Sequence, residues 1–356
     1  MTHPRLSLVL DTVPLPPEGR IVVFGADAGS DLGDLPRDRL DVICGFAPDH
    51  AALTARGYSV SFYPQDGYSA ALVFLSRSKQ QIRNCLAAAA TCVTPGGMVY
   101  VDGGKHDGVD SVLKSLRDAV ALSAPLSKAH GKIAYFAAAP QLLVDWVVPR
   151  LTPAPGFLTV PGVFSAEKID EGSALLAQAL PDKLPARIVD LGAGWGWLSA
   201  QILAKQGVES LELIEADRAA LDCAQANITD PRARFTWADA TQYTPTERVS
   251  AVIMNPPFHV GRAGDPSLGA AFIAQAAKML TLSGKLWMVA NRHLPYEDSL
   301  AVHFHHVEEI GGNGRFKLLR AEKPMTASAS ARAIAQNSGT AAQGAARRGK
   351  ASRARR

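Results

Sequence analysis

Short apolar runs of four to eight residues recur along the chain, separated by stretches in which apolar residues return every three or four positions. The first kind reads as strands buried on both faces, the second as helices that cover them. That alternation is the pattern of a parallel, doubly wound α/β sheet. In the C-terminal half, strands are expected near Arg187–Leu191, Ser210–Glu215, Ala233–Trp237, Ser250–Met254 and Lys285–Val289. Helices are expected over Trp197–Lys205, Arg218–Asn227 and Leu268–Leu280.

The same pattern occurs twice. Arg20–Gly29 (RIVVFGADAG) matches Arg187–Gly196 (RIVDLGAGWG), and Ala71–Leu75 matches Ala251–Asn255. Pro95–Val101 matches Leu282–Met288, and Gly131–Phe136 matches Gly314–Leu319. The order is kept and the offsets, 167, 180, 187 and 183, vary as loop insertions would. Self-similarity on this scale predicts two copies of one fold. The expected division is residues 1–145, 146–325 and a tail, 326–356. The four prolines between Pro149 and Pro161 suit a connection between the copies.

Charge changes the picture at the C-terminus. The chain of 356 residues carries +4, but seven cations and no acid follow Pro324: Arg332, Arg347, Arg348, Lys350, Arg353, Arg355 and Arg356. What precedes them is therefore at −3, the +4 of the whole less those seven. The tail is rich in Ala, Ser, Gly and Gln, so it is expected to stay disordered and to contact a polyanion. Four cysteines without a CxxC argue against a disulfide scaffold and a cysteine zinc site, and suit a reducing cytoplasm. The apolar runs fall short of a membrane span, and Leu6–Leu10 is too short for a signal-peptide core. A cytoplasmic protein without membrane contact is expected.

Chemistry concentrates at the strand ends of the second copy. The first strand runs into Asp190-Leu-Gly192-Ala-Gly194-Trp-Gly196, glycines that let backbone turn sharply and approach a ligand. A dinucleotide fingerprint requires glycine at 197, where Trp197 stands, which argues against a nicotinamide enzyme. The second strand ends at Glu215, whose carboxylate can accept both hydroxyls of a ribose; Asp217 is the next candidate, or a helix cap. After the third strand, Asp239 is placed to accept from an adenine amino group, or is a turn acid. The fourth strand ends in Asn255-Pro256-Pro257-Phe258-His259. Two prolines stop the strand and aim the Asn255 side chain and the Pro256 carbonyl out of its end. Two converging acceptors are what a flat exocyclic amine requires, and Phe258 offers a face on which a base can stack. His259 is a candidate substrate contact rather than a base.

The glycine loop behind an acid resembles motif I of class I S-adenosylmethionine (SAM) methyltransferases. NPPF at the end of the fourth strand resembles the amino-methyltransferases of that class. Pro161–Ser165, Asp170-Glu171-Gly172-Ser173, Asn291–Tyr296 and Gly314–Lys317 narrow the resemblance to bacterial rRNA guanine-N2 methyltransferases, most closely the small-subunit methyltransferase C family. The resemblance spans residues 155–322 by motif and the rest in plan. It implies two tandem Rossmann-like methyltransferase domains with mostly parallel, doubly wound sheets, the N-terminal copy degenerate. It implies SAM as cofactor, methylation of N2 of a guanine in 16S rRNA, and the small ribosomal subunit as partner of a monomer. The cofactor would be held by Phe164, Ser165, Asp190, Gly192, Gly194, Gly196, Glu215, Asp239 and Asn255, with Phe164 and Ser165 closing over it. Asn255, Pro256, Pro257 and Phe258 would carry catalysis. Other readings stay open: 23S rRNA guanine, DNA adenine, protein glutamine, or a non-catalytic RNA-binding assembly factor.

The first copy has Val23 where Asp190 stands and Ser76-Arg77-Ser78-Lys79 in place of NPPF, so it reads as a dead copy kept for packing or phosphate contact. His303, His305 and His306 read as a polar strand or loop, with no metal. Cys85 and Cys92 are expected on one buried helix face, and Trp195 either in the core or beside the cofactor.

Overall fold

The computed structural model describes residues 4–33, 35–76, 78–257, 259–260, 263–264, 266–326 and 328–330. The chain divides into two compact units, residues 1–168 with 216–223 and residues 169–215 with 224–356.

The first unit is built on a seven-stranded sheet. Its strands are β1 (Ile21–Phe24), β2 (Leu40–Ile43), β3 (Ser59–Ser61), β4 (Tyr68–Phe74), β5 (Val93–Gly104), β6 (Leu126–Lys128) and β7 (Gly131–Ala137), in the order β3-β2-β1-β4-β5-β7-β6. The strands from β3 to β5 pair in parallel, and β7 is antiparallel to β5 and β6. The proline-rich stretch folds into a small hairpin of β8 (Leu151–Ala154) and β9 (Phe157–Thr159).

The second unit repeats the design. Its strands are β10 (Arg187–Leu191), β11 (Ser210–Glu215), β12 (Ala233–Trp237), β13 (Val249–Met254), a two-residue pair β14 (His259–Val260) and β15 (Ala263–Gly264), then β16 (Leu280–Asn291), β17 (Phe304–Gly312) and β18 (Phe316–Pro324). The main sheet has the order β12-β11-β10-β13-β16-β18-β17, with β18 antiparallel to both its neighbours. Strand order and antiparallel position coincide in the two sheets, as duplication requires. All four segment matches fall on equivalent strands: β1 with β10, β4 with β13, β5 with β16 and β7 with β18. Ile21 pairs with Ala70 and Ile188 with Ala251, so the pairing equates Ala70 with Ala251. That is one residue from the match made on sequence.

Each sheet carries its core on both faces, which is why its central strands are continuously apolar. Ile188, Val189 and Leu191 of β10 are buried, as are Val22 and Val23 of β1. The helix Lys79–Cys92 starts at Ser78, whose side chain accepts from the Gln81 N–H. It buries Cys92 and packs the half-buried Cys85 against the same cluster, as their spacing of seven predicts. Among the described residues, no helix is long and apolar enough to cross a membrane.

Buried carboxylates distinguish the two sheets. In the first unit, Asp102 is held by Arg5 through contacts of 2.5 and 3.1 Å, and Asp41 by Tyr68, Ser61 and Arg20. In the second, Asp190 accepts from the Ser199 hydroxyl at 2.5 Å through one oxygen. Its other oxygen has no hydrogen-bond partner among the described residues. Burying a carboxylate oxygen without a donor is costly.

Candidate active site

Four neighbouring parallel strands, β12, β11, β10 and β13, end at one edge of the second sheet. Their exits carry Asp239, Glu215, the glycine loop and Asn255 side by side. This is where an open α/β sheet receives its ligand.

The loop after β10 is pinned at its base, where Gly192 and Ala193 both donate to the Ile214 carbonyl. Gly194 and Gly196 have positive φ, +56° and +87°. A Cβ on Gly196 would stand 2.9 Å from Ile228 and 3.1 Å from Ala224, so this glycine lets the loop pack. A Cβ on Gly194 would meet nothing within 4 Å, so this position opens a cradle. Gly194→Ala is expected to cost about 1–2 kcal/mol through its left-handed backbone. Gly196→Ala should cost more, because it adds a collision. Denaturant unfolding of the two variants would contradict this assignment if Gly196→Ala were the milder change.

The acids have different tasks. Burial pushes the Asp190 carboxyl up to about 7; the Ser199 hydroxyl opposes this and the charge of Glu215 adds to it. Glu215 accepts the Gly194 N–H at 2.7 Å, tying the end of β11 to the loop. Asp217 caps the helix Arg218–Asn227 by accepting the Ala219 N–H, and burial raises its pKa. It fills the capping role weighed for it above. Asp239 closes its own turn: one oxygen accepts from the Thr241 N–H and hydroxyl, and the other from Gln242. An orphaned buried oxygen, an open cradle and a strand-end carboxylate together fit a nucleoside cofactor that has a cationic end.

Asn255 leaves β13 half-buried, followed by buried Pro256 and exposed Pro257. Its side-chain nitrogen donates to Asp170 at 2.7 Å and to the Ser173 hydroxyl at 2.9 Å. Among the described residues, nothing donates to its oxygen, so the amide is set to accept. Sequence reasoning placed Asp170 and Ser173 in a family motif without giving them this contact. The signal within reach was the helix start, since Asp170 caps Glu171–Ala179 by accepting the Ser173 N–H. The other motif residues buttress this corner. Arg315 pairs with Glu171, Asn313 donates to Glu171, and Arg292 donates to Glu309 and to the Asn313 and Phe316 carbonyls. Lys317 is buried and holds both oxygens of Glu297 at 2.6 Å.

Phe258, Arg77 and the seven tail cations lie outside the described residues, as does the side chain of His259. Phe164 and Ser165 belong to the first unit. Phe164 is 55% exposed, and Ser165 has φ +51° and donates to the Lys168 carbonyl. Trp195 is buried, its carbonyl held by Asn227. His305 and His306 are exposed on β17, and His303 precedes that strand instead of lying on it. Among the described residues, no three His, Cys, Asp or Glu side chains are grouped to hold a metal. In the first unit, the loop after β1 turns in on itself, with Asp27 accepting from the Gly29 N–H and the Ser30 hydroxyl.

Comparison with known proteins agrees with this geometry. The family model Methyltransferase small domain matches residues 155–320. A Shewanella oneidensis protein, ribosomal RNA small subunit methyltransferase C, is 31% identical over 265 residues, which is 71% of this chain and 77% of the relative. The Shewanella halifaxensis protein of the same name is 30% identical over 308 residues, 80% of this chain and 90% of its own. A solved structure, the T. thermophilus 16S rRNA N2 methyltransferase in complex with AdoMet and guanosine, superposes with a TM-score of 0.73 at 24% identity. That match covers 90% of this chain and 92% of the other. With identity at this level over 265 and 308 residues, and with the amide and glycine corner intact, the chain belongs to the ribosomal RNA small subunit methyltransferase C family.

Proposed function

We propose that this protein transfers a methyl group from SAM to the exocyclic N2 amine of a guanine in the 16S rRNA of the small ribosomal subunit. The observation that carries the reading is the Asn255 amide, whose two hydrogens are committed to Asp170 and Ser173. Its oxygen is thereby reserved for a donor, and an exocyclic amine is such a donor. SAM supplies an electrophilic methyl group when bound. Asp190, the Gly192–Gly196 loop, Glu215 and Asp239 would hold it at the shared strand exits. The relatives' names and the bound guanosine of the T. thermophilus structure support RNA guanine over the other amines.

The amine's lone pair is delocalised into the purine ring. Accepting both its N–H groups, at Asn255 and the Pro256 carbonyl, draws that pair toward the methyl. Nitrogen gains a bond to carbon as the carbon–sulfur bond breaks, the sulfur keeping the electron pair. The nitrogen then sheds a proton to solvent, so no strong base is required. Positioning supplies most of the rate. The target guanine leaves its stack to reach this edge, with Phe258 as the face it lies on. The cationic tail adds sequence-independent phosphate contact. The protein would act as a monomer in the cytoplasm.

Incubation with labelled SAM and separated, unmodified small and large subunits tests the substrate. Label confined to the small subunit is expected. Label in large-subunit RNA, or in DNA or protein offered alongside, would redirect the assignment. No label with SAM bound would favour a non-catalytic assembly factor.

A further inference from the structure

We infer that Asp170, with Ser173, decides which atom of the Asn255 amide meets the substrate, and thereby makes the site a receiver of amines. This rests on the methyl-transfer reading above. An asparagine amide is nearly symmetric in shape but opposite in chemistry at its two ends. Only its oxygen can receive an N–H. Turned over, it would offer donors to a donor, and the amine could not be held.

A carboxylate can only accept. Asp170 Oδ1, 2.7 Å from Asn255 Nδ2, therefore admits only one orientation of the amide. The Ser173 hydroxyl, at 2.9 Å, takes the second hydrogen. Asp170 is itself held, since the same Oδ1 accepts the Ser173 N–H at 2.8 Å as the cap of Glu171–Ala179. The next residue, Glu171, is tied to Arg315 and Asn313, which fixes the start of that helix. A charge-assisted bond is worth more than a neutral one, so the preference for this orientation is strong. Asp170 is a positioning residue: it acts on the substrate through Asn255.

Asp170→Ser separates this role from capping, because serine caps helices as well as aspartate does. The cap and the hold on Asn255 share one oxygen of Asp170; a hydroxyl in its place can accept the Ser173 N–H and still donate to a turned-over Asn255, so the amide is no longer fixed. On unmethylated small subunits, kcat is expected to fall about 100-fold, the scale of a misplaced catalytic contact. KM for RNA, SAM affinity by calorimetry and melting temperature should stay near wild type.

Asn255→Asp sets two carboxylates against each other and should lose activity. The exchange Asp170→Asn/Asn255→Asp restores an amide–carboxylate pair with an acceptor toward the substrate. It should recover at least about tenfold over Asn255→Asp alone, a coupling that independent sites do not show. Asp170→Ser with wild-type kcat, or an exchange no better than Asn255→Asp, would overturn the inference.

A readout independent of turnover is the side-chain NH2 resonance of Asn255 in protein labelled with 15N-asparagine, identified by its loss in Asn255→Ala. It should shift in Asp170→Ser, and an unchanged resonance would overturn the inference. A resonance that shifts in a protein that methylates no guanine would instead leave the amide orientation standing and reject the reaction.

Discussion

Asn255→Ala is expected to lower kcat for guanine methylation by roughly 10²–10³-fold, the scale on which a fixed hydrogen-bonding group acts in a transition state. The alanine removes the acceptor that draws the amine lone pair toward the methyl. Asp170 keeps its cap on the helix Glu171–Ala179, so the fold should hold. SAM affinity should change little, because the glycine loop, Asp190 and Glu215 are untouched. Single-turnover kinetics with calorimetric SAM binding separates the two effects. A variant that turns over within about tenfold of wild type would remove Asn255 from the chemistry, since loss of one such group costs more than that.

Asp190→Asn should weaken SAM binding and erase a pH dependence. In the folded protein, burial holds this carboxyl protonated up to about pH 7, against an ordinary value of about 3.9 in an unfolded chain. Between about pH 4 and pH 7 the folded state therefore keeps a proton that the unfolded state has lost. Stability contributed by this group falls as pH rises through that window and is flat on either side. Wild type should lose stability relative to Asp190→Asn across it, as denaturant unfolding at a series of pH values would read. SAM is cationic, and a cation beside Asp190 favours the carboxylate. Its binding below pH 7 should release a proton, and affinity should climb as pH approaches 7. Calorimetry in buffers of different ionisation enthalpy reads that proton. Parallel pH profiles for wild type and Asp190→Asn would contradict the role.

Much of this was legible in local pattern. The bounds of β10, β11 and β12 agree with the apolar runs because each run is closed by a glycine, acid or turn residue. β16 starts at Leu280, earlier than the apolar run from Lys285, because Leu280 already pairs with Val249 and the register then skips Thr281–Gly284 before resuming at Lys285. What the pattern could not carry is contact between distant residues. The bond from Asn255 to Asp170 joins positions 85 apart in the chain. The acid is visible in sequence only as a helix cap, and its hold on the amide depends on how the helix Glu171–Ala179 lies against β16 and β18. Asp239 is visible in sequence as a strand-end acid, but the bonds from Thr241 and Gln242 that orient its carboxylate are not. The left-handed backbone of Ser165 likewise has no local signature in a residue of that type.

Methyl transfer to an exocyclic amine held at Asn255 is the central claim. The most direct measurement is to digest small-subunit RNA labelled by the purified protein and identify the methylated nucleoside. N2-methylguanosine, present with wild type and absent with Asn255→Ala, is the predicted result. Label on a ribose oxygen or a ring carbon would contradict the account.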